Sequence, residues 1–341
     1  MAEARVDGGR ERARLAFVAP YVGNWPRWLQ LFLESCRPNP VVDVLLLSDA
    51  RPPCALPDNV HLTHMSREEI FGRLERVAGV DLPNRAGHKL CDFKPFYGLA
   101  FADLLRGYEF WGYCDIDMMF GSLGKLLTDQ FLQSVDIFTA HNEIFVGHFT
   151  ILRNTPEINS LCFEIENWKE RSLTPDSTHM DERGIVAAVA KRPSVRLKRP
   201  GTLSRELVRN FARCGITFGF RGEVACLGPG DDAVVRWENG SVYAECSTGL
   251  AAEALYIHFM GTKRWWHWLL FNSGSASQQR HYFSRIGYGG VRQPADLHRC
   301  PWRQLHRLQC WLHGARAGLT ASVRRCLPRS TLALLRRVLR V

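Results

Sequence analysis

Short apolar runs alternate with longer amphipathic segments through the first part of the chain. The runs Leu15–Ala19 and Val41–Leu47, and the aromatic run that leads to Asp115, have the length and apolar character of buried strands. Gly121 interrupts the apolar stretch that follows Asp115. The pattern therefore predicts three buried strands in this part of the chain.

Segments with helical character separate these strands. One helix is predicted from Asn24 to Cys36, and a second from Ser66 to about Ala78. Ser66 and Glu69 form a capping box at the start of the second helix. A third covers Lys89–Leu105 and is interrupted early by a proline. Alternation of strands and helices predicts an α/β fold, with a mainly parallel mixed sheet and helices on both faces.

The second half of the chain has a more mixed pattern. Phe149–Leu152 is a predicted strand, and Pro156–Trp168 is a predicted helix. Asn239 and Gly240 lie between two β-rich runs, which predicts a hairpin.

Two carboxylates, Asp115 and Asp117, follow the aromatic strand directly. Carboxylates at the end of a buried strand are costly unless a positive charge neutralises them. Mg²⁺ and Mn²⁺ suit oxygen ligands, and such a cation commonly carries the phosphates of a nucleotide. The alternative is a pair of turn carboxylates without a ligand, which is the commoner case for an isolated Asp-X-Asp.

A second candidate site lies far downstream, in a short predicted strand that carries His258. Gly261 would allow close approach of the backbone, and Lys263 could reach a phosphate as a point charge. Imidazole is an acceptable ligand for Mn²⁺. The alternatives are a core histidine bonded to a carbonyl group and a solvated surface lysine.

Together, Asp-X-Asp after an apolar strand and a late His-X-X-Gly-X-Lys-X-Trp resemble nucleotide-sugar glycosyltransferases of the GT-A fold, of the glycogenin and bacterial lipopolysaccharide galactosyltransferase type. In that type the late motif is His-X-X-Gly-X-X-Lys-Pro-Trp, so Lys263 stands one residue early and Arg264 replaces the proline. The whole chain resembles bacterial GT-A-like proteins from polysaccharide gene clusters, over roughly residues 15 to 265. The stretches that carry this resemblance are Pro20–Pro26, Lys89–Pro95, Trp111–Gly121 and Gly147–Asn154.

The resemblance implies a metal-dependent donor site. Mn²⁺ or Mg²⁺ would bridge Asp117, His258 and the donor diphosphate, while Asp115 supports the metal and the ribose. Lys263 would face the diphosphate. Tyr21 and Asp49, which end the first two predicted strands, would flank the nucleoside base.

Further residues are candidates for donor and acceptor contacts. Asp92 could hold a sugar hydroxyl, and Lys89 or Lys94 could face the diphosphate; the alternative is an exposed helix face. Gly147 and His148 lie in the region that meets the donor sugar and acceptor in GT-A folds, although His148 could equally be structural.

Asp181 and Glu182 open a predicted helix, where acidic residues are also favoured by the helix dipole alone. The resemblance implies that one of them, Asp181 rather than Glu182, lines the acceptor side. It would act as general base in an inverting enzyme or stabilise an oxocarbenium-like transition state in a retaining one.

Composition limits the class of protein. The chain has 341 residues and eleven scattered cysteines without a C-x-x-C pair, which argues against a disulfide scaffold or a structural zinc site and fits a reducing cytosol. We predict a disordered tail over residues 1–14, a catalytic domain over 15–275 and a basic helical region over 297–341.

The net charge of +10 is concentrated in that last region, which contains ten arginines and no Asp, Glu or Lys. Leucines and Val338 occupy one side of its final helix, and Arg336, Arg337 and Arg340 occupy the other. A basic amphipathic helix is typical of an anionic membrane surface, and the alternative is a helix packed on the body. No nucleic-acid-binding motif accompanies the charge.

We therefore expect a glycosyltransferase that moves a sugar from a nucleotide-diphosphate donor to a surface-glycan or lipid-linked acceptor. Its expected location is cytoplasmic, on the inner face of the membrane. The alternatives are a metal-dependent phosphoryl or nucleotidyl transferase and a non-catalytic glycan-binding or scaffold protein.

Overall fold

The computed structural model describes residues 6–7, 10–11, 13–26, 28–142, 144–200, 216–217, 234–245, 251–258, 280–284 and 287–289. Its strands are β1 (Val6–Asp7), β2 (Arg10–Glu11), β3 (Leu15–Tyr21), β4 (Val42–Ser48), β5 (Val60–His64), β6 (Phe110–Cys114), β7 (Met118–Phe120), β8 (Ile137–Thr139), β9 (Phe149–Arg153), β10 (Leu197–Lys198), β11 (Ile216–Thr217), β12 (Val234–Glu238), β13 (Ser241–Glu245), β14 (Ala251–Ala254), β15 (Tyr256–His258), β16 (Arg280–Ser284) and β17 (Gly287–Gly289).

The α-helices are α1 (Leu29–Cys36), α2 (Arg67–Ala78), α3 (Lys89–Asp92), α4 (Tyr97–Ala100), α5 (Asp129–Gln133), α6 (Pro156–Asn159), α7 (Trp168–Leu173) and α8 (Ile185–Ala190). A one-turn π-helix, Met180–Gly184, precedes α8 directly. In the described part of the chain, no helix has the length and apolarity needed to cross a membrane.

A seven-stranded sheet with the order β10-β8-β9-β6-β3-β4-β5 forms the centre of the fold. Strand β9 is antiparallel to β6 and β8, and the other neighbouring strands pair in parallel. The predicted α/β class is thus confirmed: the protein is an α/β protein with a mainly parallel mixed sheet.

Helices cover both faces of this sheet, because successive side chains of a strand point to opposite sides. In β3, Ala16 and Val18 pack in a core with Phe71 of α2. Phe17, between them, packs in the other core with Phe32 of α1. The uniformly apolar β3 is therefore a strand buried on both faces, as its sequence predicts.

The predicted local signals form where expected. Ser66 accepts from the backbone N–H of Glu69, and the Glu69 side chain accepts from the Ser66 N–H, which completes the capping box of α2. Asn239 and Gly240 adopt φ values of 49° and 81° and join β12 to β13.

The sequence overestimates three helices. The helix predicted from Asn24 begins only at Leu29. Lys89–Leu105 contains α3, a 3₁₀ turn at Lys94–Phe96 and α4 rather than one helix. Pro95 has no N–H to donate within a helix, which breaks the segment. The predicted helix Pro156–Trp168 is also wrong, since α6 passes into a 3₁₀ segment and α7 starts only at Trp168.

The ends of the chain are described only in part. Within segment 1–14, predicted to be disordered, β1 pairs with β2, and Arg14 forms an ion pair with Glu109. Gly261, Lys263 and the predicted basic region 297–341 lie outside the described residues, so the predictions for them remain predictions.

Candidate functional site

The carboxyl ends of β3, β4 and β6 meet at one edge of the sheet, because these strands are parallel neighbours. Tyr21 ends β3, Asp49 follows β4, and Asp115 follows β6. Ligands of open α/β sheets bind beyond this edge. The strand order thus places three of the predicted site residues at the same edge.

Asp115, Asp117 and His258 form one cluster, in which each residue offers a ligand atom and these atoms all lie within 4.8 Å of one another. His258 Nε2 is 3.3 Å from Asp117 Oδ1 and 3.7 Å from Asp115 Oδ2. Asp117 and His258 are buried, whereas the Asp115 side chain is 30% exposed. The predicted proximity of these residues, far apart in sequence, is confirmed.

A second, small sheet explains how His258 reaches the carboxylates. Immediately after Asp117 the chain forms β7, which pairs antiparallel with β15. In this register His258 lies opposite Met118. Opposite residues of an antiparallel pair are about 5 Å apart, so His258 is set beside Asp117 by backbone pairing.

The cluster fits a hard divalent cation. Two carboxylates and one imidazole suit Mn²⁺ in particular, since oxygen ligands favour Mg²⁺ and Mn²⁺ and a nitrogen ligand is better tolerated by Mn²⁺. Nε2 of His258 faces the carboxylates, while its Nδ1 is buried and finds no hydrogen-bond partner among the described residues. The ring is therefore oriented by packing and by its position in β15.

His148 supplies that packing. Its ring stacks on His258 with a centroid distance of 4.0 Å, and its Nε2 is 2.8 Å from the Tyr256 hydroxyl. Burial, together with the neighbouring His258, lowers the pKa of His148 well below its usual range. His148 is thus a neutral, buried residue behind the cluster, which agrees with the structural alternative for this position.

Lys94 connects the cluster to Gly147 and Asp181, two residues predicted to lie near the sugar substrates. Its Nζ donates to Asp115 Oδ1 at 2.5 Å and to the Gly147 carbonyl at 2.6 Å, and lies 4.0 Å from Asp181 Oδ2. Burial opposes the charge on Lys94, but Asp115 and Asp181 prevail and raise its pKa well above the usual range. Asp115 therefore has one oxygen toward Lys94 and the other toward His258.

Asp181 is buried beside Lys94, at 4% exposure. A Cβ on Gly147 would collide with Oδ2 of Asp181, so glycine at this position leaves room for the Asp181 carboxylate as it lies here. Burial raises the pKa of Asp181 to about 7, against the opposing effect of Lys94. Glu182 instead faces His179 at 3.5 Å and is more exposed, which favours Asp181 as the site residue.

Lys89 and Asp92 do not join this group. They form a buried ion pair of 2.7 Å with side-chain exposures of 1% and 0%. The alternative of an exposed helix face is therefore wrong for these two residues, and neither side chain is accessible to a donor in this structure. Contact of Lys89 or Asp92 with a sugar nucleotide remains a prediction.

An aromatic pair at the sheet edge was missed by the sequence reasoning. Trp25 stacks on Tyr21 with a centroid distance of 4.8 Å and an interplanar angle of 14°. Trp25 Nε1 donates to the Ala50 carbonyl, and Asp49 accepts from the Gly23 N–H. The available signal was a tryptophan four residues after a strand end, within a loop rich in turn-forming residues.

Similarity to known proteins covers most of the chain. No curated protein matches the sequence. The solved structure of the galactosyltransferase LgtC, in complex with donor and acceptor sugar analogs, is 11% identical with a TM-score of 0.40, over 73% of this chain and 89% of that chain. The model of one family, described as a family of unknown function (DUF6625), matches residues 17–271, which include the whole cluster. The chain belongs to this family of unknown function, DUF6625.

Proposed function

We propose that the protein is a metal-dependent glycosyltransferase that moves a sugar from a nucleotide-diphosphate donor to a glycan or lipid-linked acceptor. The observation that carries the proposal is the cluster of Asp115, Asp117 and His258 at the carboxyl edge of the sheet, beside Lys94 and Asp181. A bound Mn²⁺ or Mg²⁺ would act as Lewis acid and template for the departing diphosphate.

The other roles in binding the cation and the donor would fall to residues around the cluster. Asp117 and His258 would hold the cation, and Asp115 would share its charge between the cation and Lys94. Tyr21 and Trp25 offer an aromatic surface for the nucleoside base, beside Asp49. Gly261 and Lys263 would meet the diphosphate if the late motif acts as it does in the proteins that the chain resembles.

Asp181 is the group best suited to take the proton of the acceptor hydroxyl. A general base is most effective when its pKa lies near the working pH, and the pKa of Asp181 is about 7. Lys94, 4.0 Å away, favours the ionised form. In a retaining reaction the same carboxylate would stabilise positive charge at the anomeric carbon instead, and the anomeric configuration of the product distinguishes the two roles.

A donor screen tests the proposed function. We expect one class of nucleotide sugar to raise the thermal unfolding midpoint of the full chain by several degrees with Mn²⁺ present and by none with a chelator, since ligand binding to the folded state stabilises it. Transfer of the sugar with release of nucleoside diphosphate would then establish glycosyl transfer.

Other products decide between the alternatives. Release of nucleoside monophosphate or pyrophosphate would favour a phosphoryl or nucleotidyl transferase. Glycan binding without any metal-dependent stabilisation by nucleotide sugars would favour the non-catalytic alternative. A change in midpoint with the metal alone, but with none of the donors, would contradict the proposed donor class.

We further propose that residues 297–341 bind an anionic cytoplasmic membrane surface, a proposal that rests on their ten arginines and no acidic residue. Each arginine near such a surface contributes about 1 kcal/mol, screened by salt. The full chain should co-sediment with anionic vesicles at low salt, and a truncation after Asp296 should not. Equal binding by both would contradict this location.

A further inference from the structure

The buried pair Lys89–Asp92 is not among the groups to which the proposed chemistry assigns a role, and yet it carries two charges out of water. Burial of each ion costs several kcal/mol, which pairing offsets only when further hydrogen bonds satisfy both groups. The hydrogen-bond partners of this pair therefore indicate which part of the fold the pair stabilises. Apart from the pair itself, the described hydrogen-bond partners of the two charged groups lie in the segment 171–178, which comprises the last turn of α7 and the loop after it.

Lys89 bonds to both ends of this segment. Its Nζ donates to the carbonyl of Arg171 at 3.4 Å and to the carbonyl of Asp176 at 3.3 Å. The Arg171 side chain also donates to the Thr178 carbonyl at 2.5 Å, which closes the segment into a loop. The ammonium group thus joins the start and the end of one loop to α3.

Asp92 bonds to the end of the loop alone. Its Oδ1 accepts from the Thr178 N–H at 2.9 Å and from the Ser177 hydroxyl at 3.1 Å. Residues 173–177 are exposed, so these bonds supply order that packing in a core does not. The carboxylate therefore fixes the position of the backbone at Thr178.

The loop leads directly into the turn that carries Asp181. His179 follows Thr178 with φ of 54°, an uncommon value for a residue other than glycine, and the π-helix Met180–Gly184 begins next. Such a backbone persists only where its surroundings hold it. The Asp181 carboxylate in turn lies against Gly147 and 4.0 Å from Lys94 Nζ, so a shift of this turn would change both contacts.

We propose that Lys89 and Asp92 are positioning residues: a buried ionic clamp that holds the loop 171–178 and, through it, sets the place of Asp181 beside Lys94 and Gly147. Neither residue touches the reacting atoms. The clamp would order the loop whether or not the protein is an enzyme. Only its effect on turnover rests on the proposed function.

Two double variants distinguish the effect of the hydrogen bond from the Thr178 N–H from the effect of the ion pair, because both variants lack charge at positions 89 and 92. K89M/D92N keeps an oxygen that accepts from the Thr178 N–H, whereas K89M/D92L has a side chain of similar size without an acceptor. Single variants are less informative, because each leaves one buried charge unpaired.

Hydrogen–deuterium exchange of the full chain is the first measurement. In K89M/D92L we expect exchange over residues 177–184 to be at least about tenfold faster than in K89M/D92N, the change expected from loss of a hydrogen bond to the loop backbone. Exchange over residues 110–120 should agree between the variants. Equal exchange over 177–184 would overturn the clamp.

Turnover of the donor found in the screen is the second measurement. K89M/D92L should lose kcat about tenfold or more relative to K89M/D92N, with KM for the donor and affinity for Mn²⁺ the same in both, because the cation ligands lie on other elements. Parallel losses of Mn²⁺ affinity and donor KM would indicate a general structural effect and overturn the positioning role. If the wild-type chain turns over no donor, the proposed function fails while exchange still decides the clamp.

Discussion

Asp117→Asn should abolish the binding of Mn²⁺ at micromolar concentrations while the chain stays folded. Asp117 is 5% exposed, and its Oδ1 faces His258 Nε2 at 3.3 Å. The substitution replaces a charged oxygen ligand by a weak neutral one at almost unchanged volume. Loss of a residue that merely supports a metal ligand costs 10–100-fold in affinity, so we expect about 100-fold or more for a ligand itself.

Removal of this charge also relieves repulsion between two neighbouring carboxylates in the metal-free chain. The unfolding midpoint of Asp117→Asn in chelator should therefore equal that of the wild type or exceed it. The increase in unfolding midpoint that we expect Mn²⁺ to give the wild type should be absent in Asp117→Asn.

Titration of Mn²⁺ followed by its electron paramagnetic resonance signal measures this binding directly, without any donor. Asp58→Asn is the matched control, because Asp58 is an exposed aspartate remote from the cluster in sequence. Wild-type Mn²⁺ affinity in Asp117→Asn, with turnover of a confirmed donor preserved, would show that the cation role assigned to Asp117 is wrong.

Asp181→Asn should have two opposite effects: loss of turnover and a gain in stability above neutral pH. The pKa of Asp181 is about 7 in the folded chain, against an ordinary value of 3.8. Between these values the folded state binds more protons than the unfolded state does. The free energy of unfolding of the wild type therefore falls as pH rises from about 4 to about 7.

In Asp181→Asn the free energy of unfolding should not show this fall with pH, because asparagine cannot ionise. The difference of about three pKa units corresponds to up to about 4 kcal/mol of added stability for Asp181→Asn at pH 8, and almost none at pH 4. Urea unfolding of both chains in chelator at the two pH values measures it. The same stability difference at pH 4 and pH 8 would show that the Asp181 carboxyl has an ordinary pKa.

The kinetic part of this prediction uses the same variant. If Asp181 accepts the acceptor proton, removal of the base should lower kcat by 10²–10⁴-fold, the usual contribution of general base catalysis. The wild-type kcat should rise with pH through the pKa of Asp181, and a pH-independent kcat near neutrality would argue against this role.

The sequence predicts those parts of the fold that depend on local pattern. Leu15–Ala19 is apolar at every position, which a strand buried on both faces requires, and Ser66 with Glu69 satisfies the exposed N–H groups of α2. Parallel strands in turn imply a common carboxyl edge, so the grouping of Tyr21, Asp49 and Asp115 follows from strand type alone.

The parts that it does not predict depend on tertiary packing. Strand β7 has three residues and exists because β15 pairs with it, a partner that no local pattern reveals. Lys94 gives no sign in the sequence that it will be enclosed by Asp115, Asp181 and the Gly147 carbonyl. Likewise, Lys89 and Asp92, at i and i+3, are equally compatible with an exposed ion pair and with the buried clamp.

The pairing of β7 with β15 would make a bound cation a crosslink between distant parts of the chain. Asp115 and Asp117 directly precede one strand of that pair and His258 ends the other, so the unfolded chain offers no preformed site and a cation would bind almost only to the folded state. A ligand of this kind would join segments that must close a long loop before they meet, and contacts of such large sequence separation form slowly. Affinity for Mn²⁺, if the proposed site binds it, would therefore report the completion of long-range folding as well as competence for chemistry.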